Sequence, residues 1–258
     1  DHYDKHFFLN MCHYAVHVPL QAKDSLVQKY ATKTPTNHKN PVYAAMVESV
    51  DDAVGSILRE LEELGILYRT VIIFTSDNGG LHKGNATSNY PLRSGKAFPY
   101  EGGIRVPLIV FWKGKITAGY VTDEPLSSID FFPTICEITG IEIPPDLVLD
   151  GKSFVPVLNG EQKEPIHEAL IWNYPHYRDW DNTGPYSIIR KSNWKLIKWW
   201  DGETTYELYN LKEDLGETTN LAIAMPDKVK ELEEELTRIL NETNSKVPIP
   251  NPNYETDE

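Results

Sequence analysis

The sequence predicts an α/β protein with a mostly parallel sheet flanked by helices, followed by a small antiparallel sheet with a helix. Three observations lead there. Two strands, at the start of VIIFTSDNGG (71–80) and in VPLIVFW (106–112), have no polar face, which suits strands covered above and below in a parallel sheet. A helical repeat precedes the first of them, and helices alternating with doubly buried strands make an α/β layer. Beyond residue 168 the pattern changes to short strands separated by turn residues, which indicates an antiparallel unit.

The first segment, HFFLNMCHYAVHVPLQ (6–21), begins as a buried strand and ends in a loop around Pro19. Residues 41–65 read as a helix, because Val42, Met46, Val50, Ala53, Ile57, Leu61 and Leu64 recur at spacings of three and four. Gly65 ends it. After the strand at 70–75, residues 76–104 form a long loop of small and polar residues, a length that in a compact domain points to function. Asp130 caps a helix running to Thr139, with Pro133 in the first turn, where its missing N–H costs nothing, and Gly140 stops it. The strands ALIWNY, YSIIR, WKLIKWW and TTYELYNL follow, with Asp201-Gly202 as the hairpin turn between the last two. A last helix, 226–242, carries Val229, Leu232, Leu236 and Ile239 on one face. The expected division is an α/β unit over 1–160, a small antiparallel unit over 161–245 and a flexible tail over 246–258.

With 38 acidic and 25 basic residues among 258, the formal charge is −13, and no basic stripe exists to bind nucleic acid. No apolar run approaches the roughly 20 residues of a membrane span, so neither class of partner is expected. Cys12 and Cys136 cannot make a disulfide framework; two buried free thiols are the expectation, with one bridge as the alternative. The opening residues carry no basic region followed by an apolar stretch, and a removed leader stays open. Asn85 and Asn241 lie in glycosylation sequons.

Asp77 and Asn78, at the carboxyl end of the first apolar strand, offer oxygen ligands that suit Ca²⁺ or Mg²⁺, although such a pair alone is more often a turn or cap. In LRSGKAFPYEGGIRVP (92–107), Lys96 sits in a glycine-flanked loop between strand ends. A lysine beside a divalent cation suits an oxyanion, since both charges neutralise the same group. His17 lies just past the strand that opens the first segment, and so can point into the same edge; singly, it reads as a loop imidazole and Lys96 as a solvated charge. His82 and Lys83 follow the glycines and extend the same basic neighbourhood. In NYPHYRDWDNTGPYS, His176 and Arg178 stand in an aromatic loop, whose plain reading is packing against the main unit. Trp194, Trp199 and Trp200 read as core or sheet face rather than a sugar platform.

In order and spacing, HYAVHVPLQ, YAAMVESVDDAVGSILRELEELG, VIIFTSDNGG and LRSGKAFPYEGGIRVP resemble the formylglycine-dependent sulfatases of the alkaline-phosphatase superfamily. The resemblance continues through SSIDFFPTICEITG, GKSFVPVLNG and SIIRKSNWKLI into ELYNLKEDLGETTNLA. It implies sulfate-ester hydrolysis on a sulfated carbohydrate. Asp77 and Asn78 are then two ligands of Ca²⁺, with Mg²⁺ as the alternative; Lys96 and His17 contact the sulfate, and His17 also protonates the leaving oxygen. His176 and Arg178 then reach the organic part of the substrate. A periplasmic, secreted or lysosomal setting follows from the same resemblance.

The sequence departs from the family at its nucleophile. The family oxidises a Cys or Ser in C/S-x-P/A-x-R to formylglycine, and neither Cys12 nor Cys136 stands in that motif. The Asp-Asp pair expected on the first strand is also absent, since Asp51-Asp52 falls within a helix. The chain therefore reads as the carboxyl-terminal part of a sulfatase, with the formylglycine in an N-terminal segment that acts as its partner. Two rivals stand beside this reading: a non-catalytic carbohydrate- or calcium-binding fragment, and phosphoester or phosphonate hydrolysis on the same scaffold.

Overall fold

A computed structural model describes residues 5–82, 86–178, 183–201 and 204–249. The helix read from the apolar repeat is α2 (Pro41–Glu63), which follows a shorter helix, α1 (Asp24–Ala31). α2 starts where it does because the Asn40 side chain accepts hydrogen bonds from the N–H groups of Val42 and Tyr43, at 2.9 and 3.1 Å, with Pro41 in the first turn. Gly65 lies just past its end with φ +69°, a left-handed stop. α1 has no side-chain cap and was not visible in the apolar pattern; it rests on α2, with Lys29 Nζ 2.6 Å from Glu48.

β1 (Ile72–Thr75) and β2 (Leu108–Phe111) pair antiparallel, Ile72 opposite Phe111 and Thr75 opposite Leu108. The parallel pairing expected for them is therefore corrected: an apolar run reports burial and says nothing of the direction of the neighbour. On β2 the inward side chains alternate with Ile109 and Phe111, which are 59% and 38% exposed. The buried strand expected at the start of 6–21 is corrected too. Phe7, Phe8 and Leu9 are exposed, and no described strand lies beside them to take their backbone N–H and C=O groups.

After the short helix α3 (Glu101–Ile104) and β2, one 3₁₀ turn (Ser128–Asp130) leads into α4 (Phe131–Thr139), closed by Gly140 at φ +71°. α4 has the expected limits, but the Asp130 carboxylate does not cap it. Its oxygens accept instead from the N–H groups of Ser127 and Lys152, and it faces His167 Nε2 at 2.8 Å, so it ties three segments together. Cys136 is buried and Cys12 exposed, and both are free thiols, which corrects the expectation that both are buried. A one-turn helix, α5 (Val155–Leu158), precedes the second sheet.

That sheet is the antiparallel meander β3 (Leu170–Tyr174), β4 (Tyr186–Lys191), β5 (Trp194–Trp199) and β6 (Thr205–Asn210), in that spatial order. Alternation sends its side chains to two different cores. Ile189, Leu196 and Leu208 pack against Leu232, Leu236 and Leu240 of α6 (Pro226–Glu242). Ile188, Ile197 and Tyr209 face the other way, onto Phe98, Tyr100 and Ile104. Each aliphatic side chain so covered contributes up to about 1.5–3 kcal/mol. The four-stranded sheet is thus clamped between α6 and the segment that follows Lys96. Trp199 belongs to the inner core, and Trp194 and Trp200 lie against the outer one, as expected. Lys83, Asn85, Trp180, Gly202 and the tail from residue 250 lie outside the described residues.

Candidate active site

Two glycine-rich loops cross at the carboxyl end of β1, and their backbones touch. The Gly79 N–H donates to the Gly103 carbonyl at 3.0 Å, and the Lys96 N–H donates to the Gly80 carbonyl at 3.0 Å. Only glycine permits this approach: a Cβ on Gly79 would lie 1.7 Å from the Gly102 oxygen, and one on Gly95 would lie 2.3 Å from the Gly80 oxygen. Asn89 locks the crossing, accepting from the Gly80 N–H at 3.0 Å and donating to the carbonyls of Gly80 and Ser94 at 3.0 and 2.8 Å. Lys96 is flanked by two left-handed non-glycine residues, Ser94 at φ +61° and Ala97 at φ +77°. Each conformation costs roughly 1–2 kcal/mol, so the surrounding bonds are needed to keep the loop in place.

The crossing brings Lys96 to His17. Lys96 Nζ is 3.0 Å from His17 Nε2, while His17 Nδ1 is 2.9 Å from the Val18 carbonyl. A carbonyl only accepts, so Nδ1 carries the hydrogen and Nε2 presents its lone pair to the ammonium; the tautomer is assigned from these partners. His17 is exposed and Lys96 half-buried, which leaves both open to a ligand.

Asp77 and Asn78 lie on the same loop, three and two residues before Gly80. Their side chains make no hydrogen bond or ion pair with another described residue, so two oxygen donors stand available together. The chemistry of that pair fits a hard cation, but it is half a shell: among the described residues, no group of three or more His, Cys, Asp and Glu side chains converges to hold a metal. Of the two aromatic-loop residues, Arg178 reaches the site loop, its guanidinium 5.6 Å from the Phe98 ring and 5.4 Å from Tyr174. His176 is exposed and meets Tyr174 edge-on at 5.4 Å, so no described contact carries it to Lys96.

Sequence reasoning missed the anchoring residues. Arg93 donates from Nη1 to Tyr209 Oη at 2.8 Å and to the Glu217 carbonyl at 3.0 Å, and its guanidinium stacks 3.6 Å above the Tyr100 ring. Below it, Lys195 Nζ is wholly buried, 3.0 Å from Glu101 Oε1 and 2.7 Å from Glu217 Oε1, and the Glu101 N–H donates to Glu217 Oε2 at 2.6 Å. Two carboxylates share one ammonium, and burial pushes the Glu217 carboxyl above its ordinary range although Lys195 pulls it back. Glu207 accepts from Tyr100, Trp199 and Tyr209, and burial raises both tyrosines so that they stay protonated donors. Through these contacts the sheet holds the loop that presents Lys96. The signal in the sequence was slight, a lysine at the second position of β5 whose alternation puts it on the face of Ile197 and Trp199.

The sulfatase family model matches residues 1–141, and the family model described as N-sulphoglucosamine sulphohydrolase, C-terminal, matches residues 94–246. A protein named sulfatase from Formosa agariphila is 40% identical over 244 residues, covering 87% of this chain and 43% of its own length. Among solved structures, Ps i-CgsB in complex with k-i-k-neocarrahexaose superposes with a TM-score of 0.75 at 27% identity, over 87% of this chain and 48% of that one. BT4656 in complex with its substrate D-glucosamine-2-N,6-O-disulfate superposes at 0.69 with 30% identity, over 81% and 41%. The chain spans less than half the length of each of these relatives. The sulfatase model matches more than half of the chain and a 40% identical sulfatase covers 87% of it: the chain belongs to the sulfatase family.

Proposed function

We propose that the chain forms the sulfate-holding part of a sulfuric ester hydrolase that removes sulfate from a sulfated carbohydrate. The observation that carries this reading is the 3.0 Å meeting of Lys96 and His17 on a loop crossing that the glycines make possible. Lys96 binds a non-bridging sulfate oxygen and neutralises the charge that gathers there as the ester bond breaks. His17 hydrogen-bonds the leaving oxygen and gives it a proton. In the arrangement seen, Nε2 accepts from Lys96, so His17 donates only after Nε2 has itself gained a proton. Asp77 and Asn78 would hold Ca²⁺, with Mg²⁺ as the alternative, and such an ion would supply positive charge to the sulfate. His176 and Arg178 contact the sugar.

The nucleophile, a formylglycine hydrate, is carried by an N-terminal segment outside these 258 residues. The support for this is that neither cysteine stands in the required motif and that the chain covers only 43% and 48% of the length of two relatives. Capture of a sulfated ligand by a chain of charge −13 depends on local cations, since most of the long-range repulsion is screened beyond about 8 Å at physiological salt. A periplasmic, secreted or lysosomal setting belongs to this proposal.

The test is hydrolysis of an aryl sulfate and of the matched aryl phosphate by the complete enzyme, with and without Lys96→Ala. Faster sulfate turnover that collapses in the variant supports the reading. Preferential phosphate turnover, or no turnover of either, replaces it with phosphoester hydrolysis or a binding fragment.

A further inference from the structure

Two clefts flank the segment that carries Lys96, and they differ in sign. One, of about 460 Å³, is lined by Phe98, Tyr100, Trp199, Asp201 and Glu207 among others, with two carboxylates and no cation among its described residues. The other, of about 310 Å³, includes Lys39, His82, Asn37, Tyr90, Thr87 and Ser94 in its wall. Its described lining holds no carboxylate, although acidic residues outnumber basic ones in the chain by 38 to 25. A cleft of this size accepts about one sugar ring, and every polar group named in its wall can donate a hydrogen bond.

The second cleft adjoins the Lys96 loop directly. Ser94 in its wall is two residues from Lys96, and His82 packs edge-on to Phe98 at 6.1 Å. A Cβ on Gly95 would lie 3.0 Å from the Cβ of His82, so the His82 wall and the lysine loop are in contact. Thr87 is fixed from outside by His38, whose Nδ1 lies 2.8 Å from Oγ1.

We infer that the cleft walled by Lys39 and His82 is a subsite for a second anionic substituent, a sulfate or carboxylate, on the sugar whose first sulfate rests on Lys96. This deepens the sulfatase reading and rests on it. The cleft lined by Asp201 and Glu207 offers such a group no described cation in its wall, so of the two clefts the one with Lys39 suits it better. Lys39 provides a full charge, and His82, with the amide and hydroxyl groups around it, provides donors for the remaining oxygens.

The test is a calorimetric titration of the 258-residue chain with N-acetylglucosamine 6-O-sulfate and with glucosamine-2-N,6-O-disulfate. The disulfate is expected to bind about tenfold more tightly, the worth of one charge-assisted contact. Lys39→Ala/His82→Ala should erase that preference while leaving the monosulfate within about twofold of the parent. The single variants Lys39→Gln and His82→Gln, which keep the bulk of the wall, should each erase part of it. Equal affinity for the two sugars, a preference that survives the double variant, or no saturable binding of the disulfate overturns the subsite. Lys96→Ala reads the underlying function separately: it should weaken both sugars and keep their ratio. A preference that depends on Lys39 and His82 in a chain indifferent to Lys96→Ala keeps the cleft and removes the sulfate site.

Discussion

Lys96 Nζ and His17 Nε2, 79 positions apart in the chain, meet at 3.0 Å at the carboxyl end of β1. Nothing local enforces this, because both side chains stand on loops. The contact is the product of the loop crossing and of the sheet that clamps the lysine loop from below.

Replacing Lys96 with alanine would remove the cation that we propose neutralises the sulfate oxygens. In the complete enzyme, kcat/KM on an aryl sulfate should fall by about 10²–10³-fold, the usual cost of losing one preorganised donor. His17→Ala should lower kcat more than it raises KM, since proton delivery matters in the transition state. Unchanged steady-state kinetics in Lys96→Ala would take that residue out of the site.

Gly79→Ala places a methyl group 1.7 Å from the Gly102 oxygen, so the loops must separate. Overpacking of this kind costs roughly 1–3 kcal/mol, and the displaced Lys96 should lose sulfate affinity as well. Asn89→Ala leaves the Gly80 N–H and the Ser94 carbonyl without the Asn89 partner, while the Gly80 carbonyl keeps the Lys96 N–H, and should cost about 1–3 kcal/mol in denaturant unfolding. A chain with Gly79→Ala and parental stability would show that the crossing is looser than described.

The buried trio of Lys195, Glu101 and Glu217 gives a pH signature. Lys195→Met strands two carboxylates and should cost about 3–5 kcal/mol near neutral pH, part of it regained on acidification as Glu217 protonates. Burial raises the Glu217 pKa above its unfolded value, so its contribution is fully present below the unfolded pKa and is lost as pH rises through the folded one. Glu217→Gln should therefore flatten the decline in stability from acid toward neutral pH. Denaturant midpoints measured across that window check this; a steeper decline in the variant would contradict it.

If Asp77 and Asn78 hold Ca²⁺ as proposed, they supply only part of its shell, so the chain alone should bind Ca²⁺ weakly, with Kd about millimolar. Asp77→Ala should abolish the binding and Asn78→Ala should weaken it, as read by calorimetry. Equal affinity in the parent and in Asp77→Ala would place the ion elsewhere.

The legible parts of the fold are those in which one segment carries its own signal. α2 and α6 repeat their apolar residues at helical spacing, and β3 to β6 are bounded by turn residues, so their limits agree closely with the sequence reading. The antiparallel pairing of β1 with β2 was hidden because side chains that are apolar on both faces look the same whichever way the neighbour runs. The exposed course of Phe7 to Leu9 was hidden because strand formation depends on a neighbour that composition does not reveal. At the site, the glycine runs and Lys96 stood out, whereas Asn89, Arg93 and Glu217 act through partners up to 124 positions away and carry no local mark.

The most direct test of the account is an NMR titration of the chain with sulfate in the presence of Ca²⁺, following the side-chain nitrogens of His17 and Lys96. The account predicts that both signals move together along one saturable curve, and that Lys96→Ala removes the response at His17. Saturable shifts confined to other residues, with His17 and Lys96 unmoved, would contradict it.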